Sequence, residues 1–241
     1  MVQKGGAGIG GGISPEDPHH YYGGMGIYEN TDLLTIDGTT WQLVHTAGDW
    51  VTGLVNGLVF EDGATDVVSG AFADAGGTPN EVTVTCADHP FAALDIVSIS
   101  GATSANYNKV HQIQSVTTHT FNIVSAFAVE AADAQVVTRS GNLTISNPGI
   151  YKVVYHCAIA PDNGNDIVDI KIWSGVTAGV PDALDMSESR HETFLAGKFS
   201  TVSGCDIFQP VADQKVSIGI KNISGANDVL FRYVHVSIYQ L

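Results

Sequence analysis

The sequence predicts an all-β protein, and three observations carry that prediction. Val, Ile and Thr are plentiful; 27 Gly and 8 Pro punctuate the 241 residues at short intervals; and no stretch shows the 3.6-residue apolar period of an amphipathic helix. With 44% hydrophobic residues, the chain has enough apolar surface for one large β domain or two smaller ones.

The elements follow in order. Residues 1–24 are so rich in glycine that they cannot fix a backbone alone. They read as an extended arm that gains order from contacts with a neighbouring subunit, with Ile13, His19, His20, Tyr21 and Tyr22 as its contact residues. From Gly26 short strands alternate with turn signals: Ile27-Tyr28, Leu33–Ile36 ending at Asp37-Gly38, Trp41–His45, and Leu58–Phe60 ending at Asp62-Gly63. Residues 64–139 have a different texture, rich in Ala, Thr and Val. They carry their own strands at Glu81–Cys86, Asp95–Ser100, Val110–Ser115, Thr120–Val124 and Gln135–Thr138, enough for a small barrel or sandwich. In a loop of that segment Tyr107 is placed to cap the barrel end. From Ser140 onward come Asn142–Ser146, Ile150–Ile159, Asp166–Trp173, Phe194–Val202, Cys205–Phe208, Lys215–Ile220 and Val229–Tyr239, a set that suits an antiparallel sandwich.

Two of these strands are partly apolar on both faces. Ile150–Ile159 places Tyr151, Val153, Tyr155, Cys157 and Ile159 on one side, and Ile150, Lys152, Val154, His156 and Ala158 on the other. Strict alternation in the last strand groups Val229, Phe231, Tyr233, His235, Ser237 and Tyr239 against Leu230, Arg232, Val234, Val236 and Ile238. A strand with one solvated face alternates apolar with polar. The second apolar face therefore requires a cover, and another copy of the chain is the expected one, with the inserted segment or the leader as the alternative.

Charge narrows the partners. Ten Lys plus Arg against 25 Asp plus Glu give 10 − 25 = −15. Ten scattered cations cannot build the basic groove that phosphates require, so nucleic acid is a poor partner, and an anionic membrane surface is equally disfavoured. The apolar runs, such as Leu54–Phe60, are broken well short of the ~20 residues that span a bilayer. Met1 is followed by Val-Gln-Lys and glycines, without the apolar stretch of a secretory signal. Cys86, Cys157 and Cys205 lie far apart without a CxxC pair and read as buried small hydrophobes.

No motif of catalysis or metal binding stands out. Asp162-Asn163-Gly164-Asn165-Asp166 lacks the terminal Glu of a calcium loop and reads as a hairpin turn. His19-His20 has no third ligand nearby. Asp182, Asp185, Glu188 and Glu192 could supply a glycosidase pair, but nothing distinguishes them from a solvated loop. Neither a phosphate loop nor a GxSxG elbow is present. The expectation is a non-enzyme without cofactor or metal.

Several stretches resemble a known family. Gly26-Ile27-Tyr28, Thr39–Val44 and Leu54–Phe60 resemble the opening strands of jelly-roll domains in bacteriophage virion proteins, and Asn142–Val153 resembles their central strand pair. Ala212–Ile218, Lys221–Gly225 and the closing strand resemble their ending. These domains are similar to the trimeric heads of the tumour necrosis factor and complement family. The resemblance implies a discontinuous jelly-roll β-sandwich over residues 25–63 and 140–241, interrupted by a small inserted β domain over 64–139 that projects outward from a hairpin tip.

It also implies a homotrimer packed along Tyr151, Tyr155, Phe231, Tyr233 and Tyr239. Functionally it implies a capsid decoration or cement protein, assembled in the host cytoplasm. Its partners would be itself and the major capsid protein or a neighbouring virion protein, on the outer capsid surface, with the arm lying along an adjacent subunit and binding the capsid through Ile13, His19, His20, Tyr21 and Tyr22. A different class remains open. As the receptor-binding tip of a tail fibre or spike, the chain would use Trp50 and Trp173 to stack on sugars. An enzyme acting on polysaccharide ranks behind both.

Overall fold

A computed structural model of the chain describes residues 21–28, 33–34, 40–44, 50–77, 80–131, 135–162, 166–175, 182–183, 188–192, 196–224 and 228–241. These residues hold β1 (Tyr22–Tyr28), β2 (Leu33–Leu34), β3 (Gln42–Leu43), β4 (Trp50–Thr52), β5 (Leu58–Glu61), β6 (Ala64–Val67), β7 (Ala73–Gly76), β8 (Glu81–Thr85), β9 (Ile96–Ser100) and β10 (Val110–Val116). They continue with β11 (Thr120–Val124), β12 (Val136–Arg139), β13 (Asn142–Ile145), β14 (Tyr151–Pro161), β15 (Ile167–Ser174), β16 (Asp182–Ala183), β17 (Ser189–Glu192), β18 (Ser200–Phe208), β19 (Gln214–Asn222) and β20 (Val229–Gln240). No helix occurs among the described residues.

Three antiparallel sheets result. A front sheet runs β18-β14-β20-β1-β4, with β2 also on β20. A back sheet runs β16-β15-β19-β13-β5, with β17 also on β15 and β3 on β19. From β13 the chain enters the front sheet at β14, returns to the back at β15, comes forward at β18, goes back at β19 and finishes in front at β20. That alternation between two facing sheets is the jelly roll. Their inner faces share one core, in which Tyr151, Val153, Tyr155, Val234, Val236 and Ile238 of the front meet Leu143, Val168, Ile170, Ile172, Val216 and Ile218 of the back. The Tyr155 ring lies across Gly204 of β18, where an added Cβ would approach to 2.6 Å. Its hydroxyl donates to Ile170 O at 3.1 Å, tying the two sheets together, and burial pushes its pKa up to about 12.

The third sheet, β6-β12-β9-β10-β11-β8-β7, is formed by the inserted segment. β5 pairs with β13 so that Asn142 faces Glu61, and β6 pairs with β12 so that Arg139 faces Ala64. The segment therefore leaves and re-enters through one antiparallel neck. A register shift between Ile113 and Ser115 of β10 helps bend this sheet around a separate core that includes Phe72, Val84, Phe91, Tyr107, Ile113 and Phe121. Tyr107, expected at a barrel end, is fully buried there; it stacks on Phe72 at 4.4 Å and donates to Ala128 O at 2.7 Å.

The inserted domain does not stand free on its hairpin tip. Leu43 of the back sheet packs with Ile96 and Val110 of the insertion, and Leu43 N donates to Ser98 Oγ at 3.3 Å. Beside them lies a network of four charges. Asp95, fully buried, accepts from Arg139 Nη1 at 2.7 Å and from Lys215 Nζ, and Lys215 also bonds Glu61. Burial alone would raise the Glu61 pKa, but Lys215, Asn142 and Arg139 hold it below the usual carboxylate range. Each charge in the network has an opposite partner, the condition under which buried ions persist.

Several boundaries differ from the sequence expectation. β1 begins at Tyr22, inside the segment read as an arm, because Tyr22 pairs with Tyr239 of the closing strand. Tyr21 packs on the jelly-roll core. These two are thus elements of the sandwich, while Ile13, His19 and His20 lie outside the described residues. The strands expected at Phe194–Val202 and Cys205–Phe208 form one strand, β18, that starts at Ser200.

Candidate functional site

The candidate site is the outer face of the front sheet. Its side chains follow from the registers: Thr201, Ser203, Cys205 and Ile207 on β18 lie beside Ala158, His156, Val154 and Lys152 on β14. Those lie beside Tyr233, His235, Ser237 and Tyr239 on β20, and these in turn beside Tyr28, Gly26, Gly24 and Tyr22 on β1. Val51 of β4 extends the grid. Tyr28 is 54% exposed, Tyr233 39% and Ile207 59%. Gly24 and Gly26 put no side chains between the two tyrosine pairs. Next to Gly24 the surface sinks into a hollow of about 380 Å³, lined by Tyr22, Leu54, His235, Ser237 and Tyr239 among others.

Charge is sparse and of one sign here. Lys152 Nζ sits 5.9 Å from the Tyr239 ring centroid, and Arg232 lies 5.5 Å from the Phe199 ring and 6.0 Å from that of Tyr233. None of the outward side chains named above is a carboxylate, and Asp206 of β18 is buried. His156 and His235 stand directly opposite each other. Partial burial, then the neighbouring His156, lowers the His235 pKa.

The five residues expected at a contact between subunits divide. Tyr151, Tyr155 and Phe231 are fully buried inside the protomer and are not available to another copy. Tyr233 and Tyr239 lie on the open face. The division has a specific cause: the register shifts between Ala158 and Ile159, so Tyr233 faces Ala158 while Phe231 faces Ile159. Arg232 is the extra residue. It reverses the phase of the closing strand, so that Val229 and Phe231 point inward together with Val234, Val236 and Ile238. Alternation in the sequence could not reveal this bulge. Tyr22 of the same face was expected as a contact residue of the arm, whereas Tyr28 and Val51 had no sequence signal beyond their own apolarity.

The other candidates are placed as follows. Trp50 is buried, its ring lying over Gly141, and offers nothing to a ligand. Trp173 remains partly exposed. Glu188 is committed to Lys171 at 2.9 Å. Asp185 lies outside the described residues. Cys86 and Cys157 are buried, which raises both thiol pKa values, that of Cys86 to about 12; Cys205 is exposed. Among the described residues no three His, Cys, Asp or Glu side chains cluster to hold a metal.

Fold and site together define a jelly-roll β-sandwich that carries an inserted β domain on its back sheet and an open, tyrosine-rich front. No family model and no curated protein matches the chain. Solved structures similar to it include the Eiger tumour necrosis factor of S. frugiperda, at 10% identity, TM-score 0.35, over 73% of this chain and 93% of that one. Murine APRIL at pH 8.0 matches at 9% identity and TM-score 0.32 over 61% and 98%; the globular domain of zebrafish complement 1qA matches at 15% and 0.32 over 62% and 98%. TM-scores this low carry no argument, and the jelly-roll assignment rests on the strand order above.

Proposed function

We propose that this chain is a structural, non-enzymatic protein that self-associates as a homotrimer through the outer face of the front sheet. So assembled, it decorates the outer surface of a phage capsid. One observation carries the self-association: in a chain of net charge −15, the outward side chains of four adjacent strands include four tyrosines and no carboxylate. Acidic surfaces repel one another, so copies meet at least cost where the acids are missing. Half-exposed tyrosines add large, stiff contact area. Threefold symmetry and the capsid are supported by the resemblance of the strand motifs to phage virion jelly rolls. The work of such a protein is adhesive, through apolar area hidden between copies and against the shell.

Light scattering of the purified protein should return three times the protomer mass. The double variant Tyr233→Glu/Tyr239→Glu should return one, with its thermal transition retained. A monomeric wild type would overturn the self-association. Mixing with undecorated capsids and sedimenting them should carry the protein into the pellet. If a trimer stays in the supernatant, the capsid assignment fails while the trimer stands. A receptor-binding tip is the second reading, favoured by the partly exposed Trp173 on the opposite side of the sandwich.

A further inference from the structure

The back sheet has a chemistry of its own. Trp41, next to β3, and Trp173 of β15 meet edge to face, with centroids 5.7 Å apart and planes at 78°. Both are partly exposed. They form one wall of a cavity of about 410 Å³ at the seam with the inserted domain, and Asn108, Lys109 and Val110 form the other. The seam is held by the Leu43–Ile96–Val110 contact and by the Asp95 network, so the two walls are fixed relative to each other.

Cations gather here. Lys171 Nζ lies 4.3 Å and Lys221 Nζ 4.8 Å from the Trp41 ring centroid, and Arg190 pairs with Asp169 beside Lys221. With Lys109 these make four of the chain's ten basic residues. Lys171 and Lys221 have acidic partners in Glu188 and Asp169. Lys109 is exposed, and its ammonium makes no hydrogen bond or ion pair among the described residues. An aromatic corner suits the C–H face of a pyranose ring, and a free ammonium at its rim suits a carboxylate on that ring. Cations already stacked on Trp41 disfavour a basic ligand.

We propose that this seam binds an acidic sugar, a uronic or sialic acid, with its ring against Trp41 and Trp173 and its carboxylate on Lys109. The inference does not rest on the trimer or on the capsid. Tryptophan fluorescence of the full chain, titrated with N-acetylneuraminic acid and with glucuronic acid, reads it. Trp50 is buried away from the seam and stays silent. At least one acid should give a saturable change, with a Kd on the order of 1 mM. Maltose and sodium acetate should each bind about tenfold more weakly or not at all. Lys109→Glu, a change at an exposed side chain, should weaken the acid about tenfold and leave the melting temperature unchanged; Trp41→Ala should abolish the response.

Absence of saturation with both acids overturns the site. Equal binding of maltose, or an unaltered affinity in Lys109→Glu, overturns the acidic recognition. Equal binding of acetate overturns the sugar. Should Trp41→Ala fail to fold, Lys109→Glu alone decides.

Discussion

The two outer faces of the sandwich differ although their inner faces are alike. Inside, both sheets alternate apolar side chains into one core, chiefly Val and Ile, with Tyr added by the front sheet and Leu by the back. Outside, the back sheet bears Lys171, Lys221, Asp169 and Lys215 and is partly covered by the inserted domain, whose Asp95 and Arg139 complete a buried charge network. The front sheet bears tyrosines, glycines and a pair of histidines, and nothing within the described residues covers it. One face is thus closed in cis by a charged latch. The other is left with the composition of a surface that can meet a copy of itself. The contrast teaches that a sandwich core constrains only half of each strand's side chains, so the two exteriors are free to diverge.

The largest test of that contrast is the latch. Asp95→Ala leaves the cations of Arg139 and Lys215 with the single carboxylate of Glu61 between them, and the denaturation midpoint should report a loss of roughly 3–5 kcal/mol. A loss under about 1 kcal/mol would mean that the cover is held by apolar contact alone.

Acid comes next. His111 of the inserted domain is fully buried, with a ring nitrogen 2.9 Å from Tyr107 O, and burial lowers its pKa to about 4. Because the folded protein holds it neutral, its stabilising effect is complete above the unfolded pKa near 6.5 and is lost as pH falls toward 4. By pH 5 the loss should reach roughly 2 kcal/mol, and His111→Gln should flatten that slope in urea titrations between pH 7 and 5. A wild-type slope that persists in the variant would shift the acid response to other groups. His235 on the open face is lowered in the same sense, so acid acts on the front sheet as well as on the inserted domain.

The smallest effect belongs to the core that both faces share. Tyr155→Phe removes the hydroxyl bond to Ile170 O and should cost about 1 kcal/mol. Thermal melts should show that loss with no change in light-scattering mass. A fall in mass would implicate Tyr155 in association after all.

Much of the strand set was legible because alternation survives in single segments. Glu81–Cys86, Thr120–Val124 and Lys215–Ile220 emerge within two residues of β8, β11 and β19. β4, β7 and β17 were not legible, since Trp50–Thr52, Ala73–Gly76 and Ser189–Glu192 have neither the length nor the apolar period of a strand. Of the five residues that the resemblance places at a subunit contact, Tyr233 and Tyr239 lie on the surface of the protomer. Tyr151, Tyr155 and Phe231 are buried in it, because a family likeness carried on strand motifs, like alternation itself, does not say which face of a strand the second sheet covers.

The likeness of the strand motifs to phage jelly rolls implied the interruption of one sandwich by another β unit, whereas by itself the sequence determined the all-β class and an acidity that disfavours nucleic acid. These depend on composition and on neighbours two residues apart. The tertiary structure decided the rest: which face of β14 and β20 is core, where the bulge at Arg232 changes phase, and how Glu61 reaches Lys215 across 154 residues. Such choices turn on contacts between segments distant in the chain, whose energies no local pattern encodes.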